Sequence, residues 1–223
     1  MRPLPCPGRR NRAAGFTLIE AVLATSLLAL GLALAFGILR GATHATATAE
    51  ATAQRAERLR AVQGLLRTQV NAALPIAYAF DAESGEATFA RVQPRRLELV
   101  ATLPGYLSRG GPYLQTFELV PGARGTLQLV FRHQLLTPDG PLDAEREPLV
   151  LLDGITEGRF EARQFDPDGK PADWGEWTLP AQLPLAVRLA LRFQDGRKWP
   201  DFVARPKLAQ DVAARAQPEI TTQ

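Results

Sequence analysis

The sequence predicts an α+β fold in which one long N-terminal helix, transmembrane and then amphipathic, packs on an antiparallel β-sheet domain. Three observations predict it. Residues 16–39 are apolar or small throughout, except for one carboxylate, Glu20. Residues 41–73 contain no proline and are dominated by Ala, Arg, Glu, Gln and Leu, which are good helix formers. From Ile76 onward the chain breaks into short runs of period-two character, cut by Gly, Pro and Asp.

The apolar run has 24 residues, enough to cross ~30 Å of hydrocarbon as a helix. The apolar region of a secretory signal peptide is only about 7–15 residues, so the run reads as a retained anchor. Ahead of it, residues 1–15 carry Arg2, Arg9, Arg10 and Arg12 and no acid. The positive-inside tendency keeps that end cytoplasmic and sends the rest across the membrane. These arginines also account for the basic look of the whole chain, formally +3. Setting the four aside from 26 basic side chains leaves 22 against 23 acids, a formal −1. A nucleic-acid surface is not expected from such a balance. The single cysteine, Cys6, lies in the leader, so the rest of the chain forms no internal disulfide. Lipidation at Cys6 needs an apolar segment before it, and here that segment follows.

Past Arg40 the helix is expected to continue. Leu59, Val62, Leu66, Val70 and Ala73 recur at three- and four-residue steps and form one apolar stripe to lie against the sheet. Arg55, Glu57, Arg58, Arg60, Arg67 and Gln69 fall mostly off it. Pro75 marks the end, giving a helix of ~88 Å at 1.5 Å per residue. Strands are expected at 76–80, 87–92, 96–102, 114–120, 127–135, 149–152, 155–165 and 186–193. Leu127, Leu129 and Phe131, like Val187, Leu189 and Leu191, alternate with polar or smaller neighbours as half-buried strands do. Turns are expected at Glu83-Ser84-Gly85, Thr137-Pro138-Asp139-Gly140, Asp153-Gly154 and Asp166-Pro167-Asp168-Gly169.

No catalytic set stands out. Beyond the leader the chain has His44 and His133 and three serines, Ser26, Ser84 and Ser108. Ser26 lies in the span and His44 just past it, so neither completes a nucleophile–base pair. Asp166, Asp168 and Asp173 invite a calcium reading, but Pro167 and Lys170 interrupt the alternation such a loop needs. No metal, cofactor or enzymatic activity is expected. Trp174 and Trp177 fit either an exposed contact platform or the core. Gly31 and Gly37 are six apart, not the four of a small-residue helix contact.

The segment Gly15-Phe16-Thr17-Leu18-Ile19-Glu20, between a basic leader and an apolar span, resembles the class III signal of type IV pilins and type II secretion pseudopilins. That resemblance implies cleavage after Gly15 by a prepilin peptidase and methylation of the new N-terminal residue, Phe16. A glycine before the cut permits close approach of the backbone to the peptidase. The freed amine of Phe16 and the carboxylate of Glu20 are each costly to bury alone. In a staggered assembly, Glu20 of one subunit meets the amine of its neighbour. A buried pair is often near break-even in energy, so its value lies in register.

Further along, Leu149-Val150-Leu151-Leu152-Asp153-Gly154-Ile155, then Gly158-Arg159-Phe160-Glu161-Ala162-Arg163-Gln164-Phe165, then Trp174-Gly175-Glu176-Trp177 and Leu183-Pro184-Leu185-Ala186-Val187-Arg188-Leu189 resemble the back half of J-type minor pseudopilins. The resemblance covers residues 16–75 and 148–193. It implies a structural subunit at the tip of the pseudopilus, joined to I- and K-type minor pseudopilins with the H-type beside them. Such a tip primes assembly of the major pseudopilin and meets the secretin or the exported protein. The expected organisation is a leader at 1–15, a single inner-membrane span at 16–39, a periplasmic continuation of the helix at 40–75, a globular periplasmic domain at 76–206 and a loose tail at 207–223. A minor pilin of a type IV pilus and a membrane-tethered periplasmic binding domain or enzyme are the alternatives.

Overall fold

No proline occurs between Pro7 and Pro75, and helix α1 runs Leu18–Asn71, 54 residues without a break. The computed structural model describes residues 17–105, 110–144, 146–166, 170–196 and 199–208, without the side chains at 42–45 and 47–48. The chain divides into two compact units, Met1–Ala56 and Glu57–Gln223. In the first, the described residues are helix from Leu18 onward.

The second unit holds the last four turns of α1 and all the strands among the described residues. Helix was expected to about residue 74, but it stops at Asn71, and Ala73–Leu74 forms strand β1. Leu74 precedes Pro75, whose ring disfavours the α conformation at the residue before it. The stripe is buried as expected: Val62 is 5 %, Leu66 0 %, Val70 0 % and Ala73 1 % exposed, with Leu59 packed beside them. Gln69, expected off the stripe, is buried as well. It accepts a 2.7 Å hydrogen bond from Nε2 of Gln115, so a polar pair sits between helix and sheet. Full burial of each large aliphatic side chain stabilises by about 1.5–3 kcal/mol, so this seam holds the helix in place.

The remaining strands are β2 (Ala79–Phe80), β3 (Ala87–Thr88), β4 (Ala90–Gln93), β5 (Arg96–Thr102), β6 (Pro112–Pro121), β7 (Leu127–Thr137), β8 (Gly140–Pro141), β9 (Leu149–Arg163), β10 (Ala186–Phe193) and β11 (Phe202–Ala204). Nine of the strands form one antiparallel sheet in the order β1-β5-β6-β7-β9-β10-β11, with β4 on β5 and β8 on β7. Strands β2 and β3 form a separate ribbon. Between β6 and β7 a short 3-10 turn, Ala123–Gly125, makes the connection. The architecture is α+β, as the sequence predicts.

Several strands differ from expectation. The run at 76–80 shrinks to β2, and that at 87–92 splits at Phe89, because β3 pairs with β2 whereas β4 pairs with β5. Phe89 N–H turns away to donate to the Pro180 carbonyl at 2.8 Å. The expected turn at Asp153-Gly154 does not end a strand. Gly154 takes φ +66° inside β9, a value open to glycine, and the strand runs on. Residues Leu149, Val150, Leu152 and Ile155 pair with β7, and Ile155 and Glu157 to Arg163 pair with β10. One long bent strand thus serves two neighbours.

The face away from α1 carries a buried ionic cluster. Glu98 on β5 is 3 % exposed and meets Arg91 at 3.1 Å, Arg96 at 2.8 Å and the phenol of Tyr78 at 3.1 Å. Each opposite charge offsets the cost of burying the carboxylate. Burial, and then the Glu98 charge, raise the proton affinity of Tyr78 well above its ordinary value.

Two expectations follow from these contacts. A Cβ at position 158 would lie 2.8 Å from Cδ2 of Leu191 and 2.9 Å from Cδ1 of Leu119, both in the core. Gly158→Ala should therefore lower stability by about 1–3 kcal/mol in chemical denaturation, with the fold retained. The Tyr78 proton is held more tightly when folded than at the unfolded value near 10.0, so its contribution is complete below that pH and is lost above it. Tyr78→Phe should cost about 1.5 kcal/mol at neutral pH and flatten the alkaline limb of a stability–pH curve.

Candidate functional site

Glu20 falls in the first turn of α1. That turn opens at the Thr17 carbonyl, which accepts from the N–H groups of Glu20 at 3.1 Å and Ala21 at 3.2 Å. A carboxylate here lies at the positive end of the helix dipole. Leu18–Gly41, 24 residues with a mean hydropathy of 2.4, is long and apolar enough to cross a membrane, and none of it is buried. Leu18 is 86 %, Phe36 69 % and Ile38 74 % exposed. So much contiguous apolar surface calls for lipid or a neighbouring helix.

Within the span, polar hydroxyls are satisfied by the helix itself. Thr25 Oγ1 donates toward the carbonyls of Ala21 and Val22, both at 3.0 Å, and Ser26 Oγ donates to Val22 at 2.8 Å. The ionisable residues of the segment are Glu20 near one end and Arg40 near the other. A Cβ at Gly31 or Gly37 would meet nothing within 4 Å, so packing inside this chain does not demand either glycine. Gly15 and Phe16, the expected processing residues, lie outside the described residues. So do Cys6, Ser108, Asp168 and Gly169, and the side chain of His44.

The remaining candidates scatter across the domain. Ser84 Oγ donates to Asp81 at 2.9 Å in the β2–β3 turn, where the N–H groups of Glu83 and Ser84 donate to the same carboxylate oxygen. Those three bonds, the two from Ser84 foremost, hold the Asp81 carboxyl below its usual range. His133 on β7 packs near the rings of Tyr113 and Phe131, at 5.8 and 5.7 Å. Asp166 accepts the Lys170 N–H at 2.7 Å and its own N–H donates to the Lys170 carbonyl, also at 2.7 Å, while residues 167–169 of the expected turn lie outside the described residues.

The two tryptophans divide between the expected alternatives. Trp177 packs against the core, while the ring of Trp174 lies over the guanidiniums of Arg163 at 5.0 Å and Arg188 at 4.9 Å. Sequence reasoning missed the charged face to which these arginines belong. Its signal was present in the period-two series Glu157, Arg159, Glu161, Arg163.

The site that the sequence singles out is thus a lone acid at the head of a lipid-compatible helix. Residues 10–36 match the family model described as the prokaryotic N-terminal methylation motif. The chain is 41 % identical over 201 residues to type II secretion system protein J of Xanthomonas campestris pv. campestris, covering 87 % of this chain and 93 % of that protein. Among solved structures it is similar to a chain of the GspK-GspI-GspJ complex from the enterotoxigenic Escherichia coli type 2 secretion system. There the TM-score is 0.42 at 12 % identity, over 67 % of this chain and 95 % of that one. With 41 % identity across nearly all of a curated relative, the chain belongs to the type II secretion system protein J family.

Proposed function

We propose that the protein is a structural minor pseudopilin, a subunit of the pseudopilus tip that helps initiate pseudopilus assembly for export across the outer membrane. The observation that carries this reading is the exposed apolar helix Leu18–Gly41 with Glu20 in its first turn, continuous in sequence with a helix buried against a sheet. Family membership supports a secretion filament over a type IV pilus, and a structural role over an enzymatic one.

In this reading residues 1–15 are the leader. A prepilin peptidase cuts after Gly15, and Phe16 is N-methylated. Residues 16–39 span the inner membrane with the arginines of the leader on the cytoplasmic side, as the positive-inside tendency favours. Residues 40–75 continue the helix into the periplasm, 76–206 form the globular domain there and 207–223 trail from it. The partners are the I- and K-type minor pseudopilins, the H-type and the major pseudopilin, with the secretin or the exported protein beyond them.

Glu20 sets the height of the subunit. Held at the edge of the hydrocarbon, its carboxylate is costly unless it meets a positive group, and the terminal amine of an adjacent subunit supplies one. A subunit inserted one turn too high or too low, about 5.4 Å, leaves both charges unpaired.

Two measurements test this. Mass spectrometry of the chain from cells with an active prepilin peptidase should find a protein that begins at Phe16 and is heavier by one methyl group. Recovery still starting at Met1 would overturn the reading. Glu20→Gln should be processed normally yet copurify with the I- and K-type partners about a hundredfold less, the equivalent of roughly 3 kcal/mol for a buried charge left alone. Copurification at the wild-type level would remove Glu20 from the account.

A further inference from the structure

Four arginines and two glutamates stand on the outer face of β9 and β10. Successive strand residues point to opposite sides, so Glu157, Arg159, Glu161 and Arg163 share one side of β9. The pairings Arg192 with Glu157, Ala190 with Arg159 and Arg188 with Glu161 place three more residues on that side. The opposite side of the same two strands carries Phe160, Ala162, Val187, Leu189 and Leu191 into the core. Four guanidiniums against two carboxylates give this face a formal +2, whereas the chain after its leader is formally −1.

The ion pairs leave donors to spare. Glu161 takes Arg188 through Nε at 2.8 Å and stands 3.6 Å from Nε of Arg159, too far for a hydrogen bond. Glu157 meets Arg192 at 3.2 Å. The side chain of Arg159 is 60 % exposed, and its guanidinium carries five N–H donors. Trp174, stacked over Arg163 and Arg188, limits the freedom of two of the guanidiniums before anything binds.

Ala190 sits in the middle of this array, with Arg159 across from it and Arg188 and Arg192 two residues to either side. Its methyl group leaves a cleft of ≈ 410 Å³, walled by Trp199 and Asp201. Trp199 is 3 % exposed, and its indole N–H has no acceptor among the described residues. Counting Asp201, the face remains formally +1.

We infer that this face docks an acidic segment of a partner polypeptide, one carboxylate of which enters the cleft over Ala190 between Arg159 and Arg192. The bound carboxylate takes the donors that Glu161 leaves unused, and Glu157, Glu161 and Asp201 set the spacing of charges the segment must have. A nucleic-acid backbone, with a charge at every phosphate, meets repulsion from those three acids. Arg and Trp are also the residues that most often dominate binding energy at protein interfaces.

The test uses the mature full-length chain in non-ionic detergent with fluorescently labelled decaglutamate, decaglutamine and single-stranded DNA decamers, read by anisotropy. Decaglutamate should bind at least tenfold tighter than either of the other two, and its affinity should fall as salt rises from about 0.05 to about 0.5 M. Arg159→Gln combined with Arg192→Gln should weaken it at least fivefold, since an exposed pair contributes only a few-fold each. Ala190→Glu places a carboxylate in the cleft from within the chain, so it should cause the same loss without lowering the melting temperature. Equal binding of decaglutamate and decaglutamine, tighter binding of DNA, or wild-type affinity in either variant would overturn the inference. None of these outcomes bears on Glu20.

Discussion

An α-helix satisfies its interior peptide groups within its own length, and the rest of this structure depends on that property. Hydrocarbon offers no partner to an N–H or a carbonyl, so only an element that bonds to itself can cross it. Helix α1 extends through 54 residues because no proline interrupts it. What changes along it is the side-chain pattern. From Leu18 to Gly41 it is apolar all round apart from Glu20 and Arg40 near its ends, and from Leu59 to Val70 it is apolar along one stripe, which the sheet covers. The same backbone thus meets two different solvents, and each segment has the surface its surroundings require.

Charge follows the same division. In the globular unit buried acids are answered locally: Glu98 by Arg91, Arg96 and Tyr78, and Glu161 by Arg188 and Arg159. The apolar segment has no such company for Glu20, whose residue is separated from Arg40 by almost the whole span. An acid in that position is tolerable at the rim of a bilayer and inexpensive only beside a positive group. The proposed function supplies that group from another subunit. The helix dipole favours an acid in the first turn by about 0.3–1 kcal/mol, less than the cost of holding a lone charge in hydrocarbon.

Long, repetitive patterns were legible in the sequence and short, partner-dependent ones were not. The stripe of Val62, Leu66 and Val70 and the alternation of Val187, Leu189 and Leu191 each repeat often enough to declare a period, and all six residues are buried as read. Strands β1, β8 and β11 have only two or three residues, and pairing with a neighbour rather than any pattern of their own creates them. Gly154 looked like a turn because Asp-Gly usually marks one, yet a positive φ serves equally well inside a bent strand. The burial of Gln69, expected off the stripe, was not legible because its partner, Gln115, is 46 residues away. The arginine face on β9 and β10 escaped for a related reason, since cross-strand neighbours become visible only once the register is known. Glu20 was legible because it breaks a pattern rather than forming one, and the partner proposed for it belongs to another subunit.

The central claim is that Glu20 faces the terminal amine of an adjacent subunit. A membrane-permeant carbodiimide joins a carboxylate to an amine in contact with it without adding a spacer. Applied to membranes in which the pseudopilus tip is assembled, it should link Glu20 to the first residue of another pseudopilin, as identified by mass spectrometry of the joined peptides. Glu20 recovered joined instead to the amine of a phospholipid headgroup would show a carboxylate that reaches the membrane surface alone, and would contradict the account.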